Sequence, residues 1–235
     1  MNKGKLYLIP TPLGENGMQT IPPYVIAILQ NLEVLIAERA KTARHFIKAL
    51  CPGKSLDLTI YELNKHTPQQ EISSFLEAAE SGQDIGLMSE AGAPGVADPG
   101  AVVVWQAHQR GIEVVPLVGP SSILLALMAS GMTGQSFCFH GYLSPKKPAL
   151  EKDLKRLEQL SAKFDQTQIF IETPYRNSGM IEAAFNALSP ATKFCIAVDL
   201  TLPTEWVKTH TMQEWLTAEL PELHKRPAIF LLYAR

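Results

Sequence analysis

Ser89-Glu90-Ala91-Gly92-Ala93-Pro94-Gly95-Val96-Ala97-Asp98-Pro99-Gly100 is the stretch that decides how this chain folds. Before it stands Ile85-Gly86-Leu87-Met88, an apolar run of strand length, and after it 101–109 reads as an apolar helix. A Gly/Pro-dense loop at the carboxyl end of a strand is where open α/β sheets hold their ligands. Glycine lets a backbone come close to a ligand, and proline fixes the loop's shape. Asp98-Pro99 also reads as an ordinary helix start, with Asp98 as N-cap and Pro99 at the first helical position. That leaves Gly92, Pro94 and Gly95 unexplained, because a plain strand-to-helix connection needs only about 2–6 residues. No Gly-Lys-Ser/Thr follows, so this is no phosphate-cradling P-loop, and the glycine spacing departs from the dinucleotide fingerprint.

Outward from this loop, strands and helices alternate. Strands are expected at 6–10, 34–38, 56–63, 85–89 and 112–118. Helices are expected between and after them at 22–32, 41–50, 68–79 and 99–110. This βαβα order calls for a parallel sheet covered on both faces. Gly119-Pro120 breaks the pattern, which sets a boundary between a domain at 1–118 and a second at 119–235. The second holds helices at 121–130, 148–160 and 175–188 and strands at 137–143 and 168–172. A hairpin at 194–202 and 205–211, a short helix at 213–220 and a strand at 228–233 complete it, so its sheet should be mixed.

Composition narrows the classes. The 235 residues are 46% hydrophobic and 19% charged with a formal net charge of -2, enough apolar content for a sizeable core. That charge offers no global attraction to nucleic acid or membrane. One local exception is Lys146, Lys147, Lys152, Lys155 and Arg156, where a helix would gather the last three towards one face. Glu151, Asp153 and Glu158 interrupt the run, so a plain solvated helix is the competing reading. Cys51, Cys138 and Cys195 are far apart and lie in or beside apolar segments, and the six histidines are scattered. Buried thiols and no metal site are expected. Pro10 and Pro12 interrupt the first apolar run, so a signal peptide is not expected. No apolar stretch nears the ~20 residues of a membrane span, and a cytoplasmic protein follows.

Five motifs in order resemble the tetrapyrrole methylase superfamily. They are Leu6-Tyr7-Leu8-Ile9-Pro10-Thr11-Pro12-Leu13-Gly14, the 89–100 loop, Val115-Pro116-Leu117-Val118-Gly119-Pro120-Ser121-Ser122, Phe139-His140-Gly141-Tyr142-Leu143-Ser144-Pro145-Lys146-Lys147, and Ile171-Glu172-Thr173-Pro174-Tyr175-Arg176. Within the superfamily the order is most similar to members that methylate small-subunit ribosomal RNA. The resemblance implies two α/β domains, S-adenosylmethionine as methyl donor, a homodimer and no metal. It implies donor contacts from Ala91, Gly92, Pro94, Gly95 and Asp98, from Pro120, Ser121 and Ser122, and from Gly141, Tyr142 and Leu143. Leu200 and Ala228 are weaker members of that set. Glu38 and Glu62 match acidic positions of the ribosomal branch and stand as catalytic carboxylates; Arg44 matches a basic one.

The acceptor-side motifs depart from that branch. Gly14-Glu15-Asn16-Gly17-Met18 stands where it carries Gly-Asn-Leu-Gly-Asp. Glu38-Arg39-Ala40-Lys41 stands for Glu-Asp-Thr-Arg, and Tyr61-Glu62-Leu63-Asn64 for His-Glu-His-Asn. Three functions are therefore carried forward. The first is in-line methyl transfer to small-subunit ribosomal RNA, on a ribose 2'-hydroxyl in preference to a base. The others are methylation of a small tetrapyrrole-like acceptor and a catalytically silent protein that binds S-adenosylmethionine.

Overall fold

The computed structural model describes residues 2–235. The chain divides into two compact units after Ser121, where the sequence placed the boundary after Val118.

The first unit alternates strands β1 (Lys5–Ile9), β2 (Val34–Ala37), β3 (Thr59–Glu62), β4 (Ile85–Met88) and β5 (Glu113–Pro116) with helices. The strands form one sheet in the order β3-β2-β4-β1-β5, and every neighbouring pair is parallel. Helices α1 (Pro23–Asn31) and α2 (Ala40–Leu50) bury Val25 and Leu29, then Ala43, Phe46, Ile47 and Leu50, at helical spacing. They pack with Ile9, Leu35 and Met88 of the sheet. Leu6, Ile36, Ile85 and Leu87 form a second cluster with Phe75, Leu76, Val103 and Ala107. Both faces are thus covered, as a parallel sheet requires.

One helix differs from its expectation. In place of a continuous 68–79 helix there are α3 (Gln69–Ile72), a 3-10 turn at Ser73–Leu76 and α4 (Glu77–Glu80). Ser74 Oγ donates to the Glu71 carbonyl at 2.8 Å, and such back-bonding competes with the helical ladder. A second correction concerns the 99–110 helix. It is α5 (Ala101–Gln109), capped by Gly100 without a side-chain hydrogen bond, so Asp98 is not the N-cap and Pro99 is not its first residue.

The second unit holds α6 (Ser122–Ser130), β6 (Phe137–Tyr142), α7 (Lys147–Phe164), β7 (Thr167–Glu172) and α8 (Asn177–Ala187). It continues with β8 (Lys193–Val198), β9 (Trp206–Thr211), α9 (Met212–Trp215) and β10 (Ala228–Tyr233). Its sheet runs β6-β7-β10-β8-β9. The β6–β7 pair is parallel and the rest are antiparallel, with β8 and β9 as the expected hairpin. Phe230 stacks with both Phe170 and Phe194 in its core, which also takes in Leu150, Leu154 and Leu157 of α7. Among the described residues no helix is long and apolar enough to cross a membrane, and no group of three or more His, Cys, Asp or Glu is placed to hold a metal ion.

Candidate functional site

In the first unit the site is a loop tied down at both ends. Because β1 and β4 are adjacent and parallel, the segments leaving them emerge side by side. Thr11 and Gly92 then form an isolated bridge, each backbone N–H donating to the other's carbonyl at 2.9 Å. Ser89 Oγ adds a bond to the Gly92 carbonyl at 3.1 Å, with Thr11 Oγ1 3.4 Å from that hydroxyl. Thr11 and Ser89 are buried, so this network sits beneath the loop. Gly119 and Pro120 come alongside. A Cβ on Gly119 would lie 2.2 Å from Pro10, and one on Gly92 would lie 3.5 Å from the Pro120 carbonyl. Close approach to Pro10 requires glycine at 119, and a left-handed backbone, φ +78°, favours it at 92.

Asp98 anchors the far end. Its carboxylate accepts the Gly95 N–H at 2.9 Å and the Gly100 N–H at 2.7 Å. Burial pushes its pKa up, and these two backbone bonds pull against it. Asp98 therefore shapes the loop from inside. Between the two anchors Ala91, Val96 and Ala97 are exposed while Pro94 is buried. Gly95 has φ +82°, and nothing lies within 4 Å of where its Cβ would stand. A ligand can thus lie directly against this backbone. Ala97 shares the left-handed conformation at φ 61°, a costly one for alanine.

The carboxylates named from the sequence have separate fates. Glu38 follows the last residue of β2 and borders a narrow crevice with Leu63, Met88, Asp98 and Gly100. Burial raises its pKa most, followed by the charges of Glu90 and Asp98, while the Glu90 backbone N–H lowers it. Arg39 answers Glu90 with an ion pair at 3.2 Å. Glu62 is occupied differently: Oε1 accepts the Ala40 N–H at 2.8 Å and so caps α2. Arg44 Nη2 reaches only the Leu58 carbonyl, at 3.5 Å.

In the second unit Gly141 lies where the β6–β7 register shifts between Phe139 and Tyr142. It has φ +65° with open space at its Cβ position. Tyr142 is 60% exposed, whereas Leu143 is buried in the core, which leaves only its backbone for a ligand. Leu200 and Ala228 are buried. Ser121, which ends the first unit, and Ser122, which opens α6, are half-buried.

Residue types alone did not single out Thr11, Ser89, Glu90 or Arg39. Only Thr11, held between two prolines after β1, carried any signal. Nor did they disclose the buried Asp199, whose Oδ2 accepts from Arg226 Nε at 2.8 Å and Thr204 Oγ1 at 2.7 Å. Arg226 lies 27 residues from Asp199, too far to show any spacing, and Thr204, five residues on, matches no helical or strand period.

Comparison with known proteins bears on this geometry. The family of tetrapyrrole (corrin/porphyrin) methylases matches residues 5–215. Ribosomal RNA small subunit methyltransferase I of Vibrio cholerae serotype O1 is 32% identical over 212 residues, 90% of this chain and 70% of that protein. Its counterpart in Escherichia coli O157:H7 is 31% identical over 206 residues, covering 88% and 68% respectively. The crystal structure of the methyltransferase CobJ matches with a TM-score of 0.63 over 98% of this chain and 94% of that one. At 20% identity it speaks for the fold alone. With a family match across residues 5–215 and relatives above 30% identity over most of the chain, this protein belongs to the tetrapyrrole methylase family and is a methyltransferase.

Proposed function

We propose that this chain transfers a methyl group from S-adenosylmethionine to ribosomal RNA of the small subunit, on a ribose hydroxyl. The observation that carries the acceptor class is the identity, above 30% over about nine-tenths of the chain, to proteins of that name. The donor class is supported by Gly95 and Gly141, which among the four described glycines that meet open space in a left-handed conformation are the two that stand in the matched motifs. Such positions take a ligand against bare backbone, which suits a donor held chiefly by main-chain groups.

When bound, S-adenosylmethionine supplies a methyl group already activated by its sulfonium. The protein then needs mainly to align and to handle one proton. Alignment falls to the 89–100 loop, whose shape is fixed by Asp98 and by the Thr11–Gly92 bridge. Fixed positioning of this kind contributes up to roughly 7–11 kcal/mol. Glu38 is the group suited to the acceptor's proton, because its raised pKa brings it nearer to neutral than an ordinary carboxylate. Glu62, spent on capping α2, is the less suited of the two. A homodimer in the cytoplasm belongs to the same reading, and Leu124 and the 79%-exposed Met128, one turn apart on α6, are apolar surface a second copy would cover.

The test uses methyl-labelled S-adenosylmethionine with small subunits from a strain lacking this gene. Label in the RNA, recovered as a ribose-methylated nucleoside and lost in Gly95→Leu, supports the proposal. No label in RNA from protein that binds the donor overturns it. Label in added corrin or porphyrin precursors would then mark a small-molecule acceptor.

A further inference from the structure

Helix α7 sorts its charges by face. Leu150, Leu154, Leu157 and Ser161 are buried and define the side turned to the core. At 3.6 residues per turn, Lys152, Lys155, Arg156, Gln159 and Lys163 fall on the opposite side, and all five are exposed. The three acidic residues lie on the flanks and are drawn into the body of the unit. Glu151 Oε1 accepts from Asn186 Nδ2 at 3.3 Å. Asp153 Oδ2 accepts the Ser144 N–H at 3.1 Å. Glu158 Oε1 accepts the Ser189 N–H at 2.7 Å and the Thr192 hydroxyl.

The bases are left largely unanswered. Arg156 has only a long contact to Asp153, at 3.7 Å. Among the described residues Lys152, Lys155 and Lys163 form no ion pair. Alternation of sign along the sequence therefore does not become alternation of sign on the surface. A ridge of positive charge results, about 16 Å from Lys152 to Lys163 at 1.5 Å per residue. It stands on a protein whose net charge is -2, so it is a local feature with no global attraction behind it. Past its last lysine Phe164, which follows Leu150 and Leu157 down the other side of the helix, emerges from the core and is 54% exposed, with the Lys163 ammonium 5.1 Å from the ring centroid.

We infer that the outer face of α7 is a docking ridge for the RNA backbone: Lys152, Lys155, Arg156 and Lys163 contact phosphates, and Phe164, exposed off the ridge at the helix's last turn, stacks on an unpaired base. Spaced cations match a polyanion, and an exposed ring beside the last of them offers the π-face that single-stranded or looped RNA uses. The inference rests on the reading of RNA as acceptor and adds where the protein grips it.

The experiment measures binding of purified small-subunit ribosomal RNA across a salt series, for the parent and for a variant with Lys152→Gln, Lys155→Gln and Lys163→Gln together. All three side chains are exposed, so the variant should fold, and unchanged donor binding checks that it has. The expected result is a plot of log affinity against log salt that is shallower by about 2 for three lost phosphate contacts. Arginine at the same three positions should restore the slope. Phe164→Ala should weaken binding roughly tenfold without altering the slope. An unchanged slope in the glutamine variant overturns the ridge. So does a variant that keeps RNA binding but loses binding to phosphatidylglycerol vesicles. Failure of the function is read separately, as absence of methyl label in RNA with the parent protein.

Discussion

Glu38 is a carboxylate that folding makes harder to ionise, and the consequence can be followed in pH. Burial first, then the charges of Glu90 and Asp98, raise its pKa above the ordinary 4.5. The folded chain holds this proton more tightly than the unfolded one. Stability is therefore lost as pH rises from 4.5 through the raised value, and the full cost is present above it. Glu38→Gln keeps the shape and removes the charge, so its melting temperature at neutral pH should be at least that of the parent, with the gap closing in acid. If Glu38 accepts the acceptor's proton, methyl transfer by the parent rises with pH along a limb displaced above the usual carboxylate range. A profile flat from acid to neutral pH would remove it from that role. Two glycines give a second contrast at this scale. Gly95→Val should cost about 1–2 kcal/mol through its left-handed backbone and abolish donor binding in a folded protein. Gly119→Ala should destabilise the first unit by about 1–3 kcal/mol, because its Cβ would sit 2.2 Å from Pro10. Circular dichroism and donor titration distinguish the two. Cys195 completes the residue scale: burial pushes its thiol up to about 11, so it should resist alkylation in the folded protein.

At the scale of elements, α2 depends on a neighbour for its start. Arg39 makes no side-chain cap bond, and Glu62 from the end of β3 supplies the missing acceptor. Glu62→Ala should lower stability by about 1 kcal/mol, measured as a shifted urea midpoint, and leave the rate of methyl transfer unchanged. A large fall in rate at constant stability would instead make Glu62 part of the chemistry. Sequence pattern made the alternation of strands and helices legible because each apolar run ends at glycine, proline or a small polar cluster, as at Pro52-Gly53 and Ser81-Gly82. It misled at 68–79, where the apolar spacing is helical but the Ser74 hydroxyl turns back onto the chain. The 89–100 loop was legible as a ligand site through its glycines and prolines. The inward role of Asp98 was not, because Asp-Pro before an apolar run carries the same letters whether the aspartate caps a helix or ties a loop. The Thr11–Gly92 bridge was hidden as well, since nothing in one strand's exit announces its partner in another's. Likewise, the alternating charges of α7 concealed that its acids lie on the flanks, bonded to neighbouring segments.

At the scale of the molecule, each unit has its own core and its own closed logic. Phe230 is fully buried, with its ring 6.0 Å from Phe170 and 5.9 Å from Phe194. Phe230→Ala should remove about 3–5 kcal/mol from the second unit. Hydrogen exchange should then quicken across β6 to β10 and stay slow in β1 to β5. Equal acceleration in both sheets would mean that the units unfold as one. The place of β10 has a further consequence. It sits in the middle of its sheet, between β7 and β8, although it follows every other strand of that sheet in the sequence. On the ribosome, the β6–β7 pair and the β8–β9 hairpin emerge first and wait with bare edges. Neither half can close until residues 228–233 have cleared the exit tunnel. A nascent chain stalled before Ala228 would therefore present two sticky half-sheets to the cell, open to chaperones or to one another.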